Sequence, residues 1–314
     1  MRRLNYETKD LGFSFACVTA VMVAASIVLE LIFGSVAGGW KFWLMQGLYT
    51  ALIGGSAFLY AALTRTKVFV ATKLNKAPSV SHTVWGCVAV MFLVLCMSQI
   101  NTLFLDIIEK ELGLKRPTVS LDSNVAGRII CACILPALTE EIVFRGTIAQ
   151  SLNGSKSQVW AVVISGALFS VFHANPAQTL HQFVLGAFLT MLVFRSGSLW
   201  TSVIVHFFNN AFVVGLSYTP LGSDEFWNLQ SNGKWALTLT IVGVVGFVLC
   251  SIVYVATTKS QWGANKTDSV EAGKAASAQN NTGLLRPTRT SSVIALVVSI
   301  VMCVALWIAQ LLLG

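Results

Sequence analysis

Along this chain, apolar residues come in long runs that stop at charges, prolines or glycine-bearing turns. Nine such runs fall near 11–33, 43–63, 83–105, 125–148, 157–174, 177–195, 199–217, 234–257 and 291–313. A helix of about 20 apolar residues crosses a hydrocarbon core of about 30 Å, so the pattern predicts an all-α polytopic membrane protein with nine spans. The opening stretch MRRLNYETKD precedes a run too long for a secretory leader, with no small-residue cleavage site after it, and reads as the entry to a retained first helix. Lys and Arg gather in every second connection, counting from the N-terminus. That bias predicts a cytoplasmic N-terminus and, with nine spans, a C-terminus outside.

One segment breaks the pattern. Residues 257–290, TTKSQWGANKTDSVEAGKAASAQNNTGLLRPTRT, are polar, rich in Ala, Ser, Asn and Gly, and without apolar periodicity. They read as a flexible cytoplasmic linker. The expected organisation is a transmembrane core at 1–256 with a functional block at 125–215, the linker at 257–290, and an additional C-terminal helix at 291–314. That last helix carries no ionisable residue inside its apolar run and is expected to lie apart from any chemistry.

Composition agrees with a membrane chain. Of 314 residues 55% are hydrophobic and 11% charged, and mean hydropathy is +0.73, outside the range of soluble domains. The net charge of +8 follows from the cytoplasmic loops and their attraction to an anionic inner leaflet, so a nucleic-acid partner is not expected. All seven cysteines fall inside the predicted spans, where Cys acts as a small hydrophobe; no disulfide framework is expected, and Cys131 with Cys133 lacks the spacing of a zinc pair.

Against that background LPALTEEIVFRG, residues 135–146, puts two carboxylates and a guanidinium in an apolar run. Charges at membrane depth are costly and mark a wet interior or a partner. Glu141 and Arg145 stand four apart and can pair along one helix face, whereas Glu140 projects about 100° away and is left as a candidate base. Two further segments bring polar groups to similar depth. In FSVFH, His173 follows Phe169 by one turn; in HFFNN, His206 and Asn210 share one stripe while Asn209 is rotated off it. Pro136 lies one turn before Glu140, where it removes a backbone hydrogen bond, and Pro176 is placed to open the next helix. Elsewhere, Glu30 and Asp106 sit near helix ends and read as interfacial, His82 flanks a helix start and reads as solvated, and His181 reads as a structural hydrogen-bonder.

The segments EEIVFR, FSVFH and HFFNN resemble, in order and spacing, the EExxxR, FxxxH and HxxxN motifs of the CPBP (Abi) family of intramembrane proteases. That family includes type II CAAX prenyl endopeptidases and bacteriocin-processing or immunity proteins. The resemblance covers about 125–215, including FVLGAFLTMLVFRSGSLWTSVIVH, and implies an eight-helix core to which the ninth helix is an addition. It further implies an endopeptidase in which Glu140, assisted by His173, activates water, and His206 with Asn210 stabilise the oxyanion. Glu141, Arg145 and Phe169 would be supporting residues. The implied substrate is a peptide or protein at the membrane, prenylated or not, in the lipid bilayer of a bacterial cell; no cofactor is implied.

Other chemistries draw on the same residues. Glu140, His173 and His206 offer a carboxylate and two imidazoles, a donor set known from zinc hydrolases, although no HExxH pair exists. A non-catalytic adaptor or bacteriocin-immunity factor would bind a peptide in the same cavity. A proton-coupled transporter would also use buried carboxylates and histidines, but no pair of broken helices in two corresponding halves is present.

Overall fold

The computed structural model describes residues 3–34, 39–112, 124–153, 155, 157–223, 225–262 and 284–313. Among these the chain is helical throughout, with one isolated backbone bridge between Arg3 and Thr66. The helices are α1 (Leu11–Phe33), α2 (Gly39–Leu63), the short α3 (Val68–Ala71), α4 (Val80–Leu112), α5 (Val125–Arg128), α6 (Leu135–Val143), α7 (Ala149–Leu152), α8 (Gln158–Phe172), α9 (Thr179–Ser196), α10 (Leu199–Leu216), α11 (Leu229–Thr257) and α12 (Arg289–Leu313). Seven of them, α1, α2, α4, α9, α10, α11 and α12, lie in segments long and apolar enough to cross a membrane. The molecule is an integral membrane protein of all-α, polytopic architecture. Most of the linker expected at 257–290 lies outside the described residues.

The two other expected spans differ, and both depart from regular transmembrane form beside the polar residues. The run at 125–148 is a single interrupted rod, α5–α6–α7, in which π-helical turns occupy Ile129–Ile134 and Phe144–Ile148. Pro136 has no N–H, so the Ala132 carbonyl loses its α-helical donor, and the first π turn spans that position. At the second, the Thr147 hydroxyl donates to the Ile142 carbonyl at 3.1 Å and the Gln150 amide to the Arg145 carbonyl at 3.3 Å. Side chains thus serve main-chain acceptors that the wider turn exposes.

The run at 157–174 forms α8, of 15 residues. At 1.5 Å per residue it reaches about 22 Å, short of a hydrocarbon core. It ends at His173, Ala174 takes a positive φ of 46°, and the Asn175 side chain accepts from the Ala177 amide at 2.9 Å to start a 3-10 turn at Pro176–Gln178. This tight reversal places non-helical backbone beside protein rather than lipid, the setting in which it is tolerated in a membrane.

Packing puts the interrupted rod at the centre. α6 lies between α2 and α10, α8 pairs with α9, α4 with α11, and α1 with both α2 and α12. Close approach is set by small residues. A Cβ on Gly54 of α2 would stand 2.7 Å from the Thr139 side chain, and one on Gly166 of α8 would stand 2.7 Å from the Phe183 carbonyl of α9. In lipid such contacts hold helices together, because the apolar surface gains nothing by leaving one hydrocarbon for another. The C-terminal helix α12 is docked on α1 and α9: the Gly12 amide donates to the Ser292 hydroxyl at 2.9 Å and the Trp307 indole to the Thr179 hydroxyl at 2.8 Å.

The N-terminal segment is tied to the end of α2 by a buried ion pair. Arg3 donates through both terminal nitrogens to Asp10, whose carboxylate also accepts from the Tyr60 hydroxyl at 2.7 Å. Main-chain bonds from Arg3 to Arg65 (2.9 Å) and from Lys67 back to Arg3 (2.8 Å) complete the clasp.

Candidate active site

The two neighbouring glutamates diverge. Glu141 is fully buried and its Oε1 accepts from Arg145 Nη1 at 2.7 Å, the pairing expected from their spacing. The same oxygen lies 2.8 Å from Nδ1 of His206, a partner the spacing along one helix could not show. With Arg145 on that oxygen Glu141 is an ionised acceptor, so Nδ1 of His206 is the donor. The bond ties α6 to α10.

Glu140 turns the other way, with its side chain 17% exposed and Oε2 at 3.7 Å from Nε2 of His173, itself 15% exposed. These two retain access to solvent-sized space, while Glu141, Arg145 and His206 are sealed at 0–2%. The His173 ring is oriented by its own helix: Nδ1 donates to the Phe169 carbonyl at 2.7 Å. A carbonyl only accepts, so the proton sits on Nδ1, and Nε2 of the neutral ring presents a lone pair toward Glu140.

Phe169 binds the two halves together. Its fully buried ring lies 4.0 Å under the Arg145 guanidinium, and its centroid is 4.5 Å from that of His173 and 6.1 Å from that of His206, both edge-on. Phe144, in the second π turn, packs edge-on against Phe169 at 5.0 Å. The aromatic face supplies favourable electrostatics to a buried cation at the points where carboxylate oxygens do not reach.

The structure brings Glu140, Glu141, Arg145, Phe169, His173 and His206 into one region. Asn209 is buried at 2%, and its Nδ2 donates to Asn210 Oδ1 at 3.0 Å. The expected stripe of His206 and Asn210 therefore has Asn209 attached to its side. Burial of His82 corrects its reading as solvated: it is 6% exposed, with its ring edge-on to Tyr254 at 5.5 Å. The C-terminal helix bonds to the start of α9 through Trp307 and Thr179. The His82–Tyr254 and Trp307–Thr179 contacts have no periodic signal, since each joins different helices.

A three-ligand metal set does not form from the expected donors. Among the described residues no three His, Cys, Asp or Glu side chains are grouped to hold one ion.

Residues 122–212 match the family model described as Type II CAAX prenyl endopeptidase Rce1-like. The curated Bacillus subtilis (strain 168) protein named "Putative membrane peptidase YdiL" is 29% identical over 93 residues. That match covers 30% of this chain and 38% of the relative's length. No solved structure matches the chain. Both matches support the resemblance to the CPBP family drawn from the three motifs.

Proposed function

We propose that this protein is an intramembrane endopeptidase that hydrolyses a peptide bond of a membrane-associated substrate with water activated by Glu140 and His173. The observation that carries this reading is the pairing of Glu140 Oε2 and His173 Nε2 at 3.7 Å, two facing acceptors with partial access, one step along the helix from a sealed ion pair. The match of residues 122–212 to the Rce1-like model and the similarity to a protein named as a membrane peptidase support the reaction class.

The chemistry follows from the donors and acceptors. A water seated against both acceptors directs its hydrogens to Glu140 and His173 and its lone pair outward. Its oxygen attacks the scissile carbonyl carbon, one proton passes to the Glu140 carboxylate, and the carbonyl oxygen takes the negative charge. Collapse breaks the C–N bond, and the proton held by Glu140 passes to the leaving amine. His206 and Asn210 are the oxyanion donors. Because Nδ1 of His206 is committed to Glu141, His206 donates through Nε2–H as an imidazolium, and Glu141 is the anion that stabilises it. Such preorganised charge acts most strongly in a water-poor site. The catalytic block is 125–215, the N-terminus is cytoplasmic, and the substrate class extends to prenylated chains.

The test uses detergent-purified protein and internally quenched peptides with and without a farnesylated cysteine. Glu140→Gln is expected to lower turnover by about 10²–10⁴-fold, the usual contribution of a general base, while thermal unfolding stays that of the native protein. Activity that survives the substitution refutes the role of Glu140. Loss of native activity on chelation, restored by zinc, would replace the water-base mechanism with a metal one. An adaptor or immunity role predicts instead that the Glu140→Gln protein keeps its cellular phenotype.

A further inference from the structure

The C-terminal helix lies outside the block matched by the family model, yet it bonds directly to the reversal that follows His173. We infer that Trp307 of α12 positions His173: through the Thr179 hydroxyl it fixes the reversal between α8 and α9, and with it the approach of the His173 ring to Glu140. The inference rests on the role proposed above for His173. Thr179, the first residue of α9, ties together the two sides of that reversal. Its main-chain carbonyl accepts from the Ser170 hydroxyl at 2.7 Å, before His173, and its own hydroxyl donates to the Asn175 carbonyl at 2.9 Å, after it. Trp307 completes the set, its indole N–H donating to the Thr179 hydroxyl at 2.8 Å.

The direction of each bond follows from its groups. An indole N–H can only donate, so it takes a lone pair of the Thr179 hydroxyl and leaves the hydroxyl proton to Asn175. Asn175 also accepts through its side-chain oxygen from the Ala177 amide at 2.9 Å, so both of its oxygens are committed to the turn. Such restraint is needed because Ala174, next to His173, holds a φ of 46°. A residue with a Cβ keeps this left-handed conformation only where its surroundings over-determine it. His173 itself is held to its own helix, by its main-chain amide on the Ser170 carbonyl at 3.2 Å and by Nδ1 on the Phe169 carbonyl at 2.7 Å. Neither bond fixes how the last turn of α8 sits against the next helix; the bonds of Thr179 do. Cys303, one turn before Trp307, is fully buried in the same apolar core as Phe169 and Phe172, so α12 presents the indole from a packed position. Trp307 is thus a positioning residue, and Thr179 is the link through which it acts.

The experiment reads the His173 ring itself. Protein labelled with ¹⁵N-histidine is solubilised in detergent; the chain has four histidines, and the ring signals of His173 are identified by their loss in His173→Ala. Trp307→Phe, which keeps an aromatic ring and removes the N–H, is expected to shift those signals while the signals of His82, packed against Tyr254, stay in place. Thr179→Val is expected to do the same and serves if Trp307→Phe fails to fold; Thr179→Ser, which keeps the hydroxyl, should hold the signals near their native positions. His173 signals unmoved by both Trp307→Phe and Thr179→Val overturn the inference, and so does equal movement of the His82 signals, which marks a general disturbance. This readout needs no substrate, so its failure is distinct from failure of the peptidase reading, which Glu140→Gln tests. With a cleaved peptide in hand, Trp307→Phe is expected to lower kcat on the order of tenfold with KM unchanged, as a small misplacement of a catalytic group does. In a Thr179→Val background it should cause no further loss, because residues in one hydrogen-bonded chain are not additive. Multiplying losses, or a loss confined to KM, would overturn the inference.

Discussion

Glu140 and Glu141 are the same residue at consecutive positions, and the fold gives them opposite surroundings. Glu141 shares one oxygen between Arg145 and His206 in a sealed pocket, while Glu140 keeps partial access and faces an imidazole lone pair. The difference predicts a split between stability and turnover. Arg145→Met leaves the Glu141 charge buried with only His206 beside it, and should cost about 3–5 kcal/mol, as breaking one side of a buried pair does; thermal unfolding in detergent would show it as a lowered midpoint. Glu140→Gln removes a charge held by no such pair and should leave the midpoint near native. The i, i+4 spacing made the Glu141–Arg145 bond legible in the sequence. The third member, His206, was not legible as its partner, because that contact joins residues 65 apart on different helices.

At the scale of elements, the site exists because two helices are irregular. Residues 125–152 are interrupted by π turns on both sides of the Glu pair, and α8 stops at His173 instead of crossing. Hydropathy located both segments as apolar runs of roughly the right extent, and Pro136 marked the place where the first π turn frees a carbonyl. It carried no sign of the second π turn, whose carbonyls are served by Thr147 and Gln150. The α8–α9 pair is held by a glycine: a Cβ at Gly166 would meet the Phe183 carbonyl at 2.7 Å and the Ala187 amide at 2.9 Å, both of them backbone. Gly166→Ala should therefore force the helices apart at a cost of about 1–3 kcal/mol. Phe169 and His173 ride on the same helix, so turnover should fall together with the thermal midpoint. A Gly166→Ala protein with native stability and native turnover would show that the close approach is not needed.

On the scale of the whole molecule, the fold surrounds the polar centre with apolar helices. α2, α9 and α10 wall it in, and α12 bonds to α9 through Trp307 and Thr179. The sequence made the membrane class, the nine apolar segments and the order of the motifs legible, since each depends on local pattern. The packing of α12 along α1 and its polar contacts with α1 and α9 leave no mark on hydropathy. It also missed the clasp of Arg3, Asp10 and Tyr60 between the N-terminal segment and α2, a meeting of residues as far as 57 positions apart. The central claim is that this centre hydrolyses peptide bonds through Glu140. Comparative peptidomics of membranes carrying the native protein or Glu140→Gln at equal abundance tests it most directly. At least one peptide terminus is expected only where the native carboxylate is present; identical peptide populations from the two membranes would refute hydrolysis through Glu140.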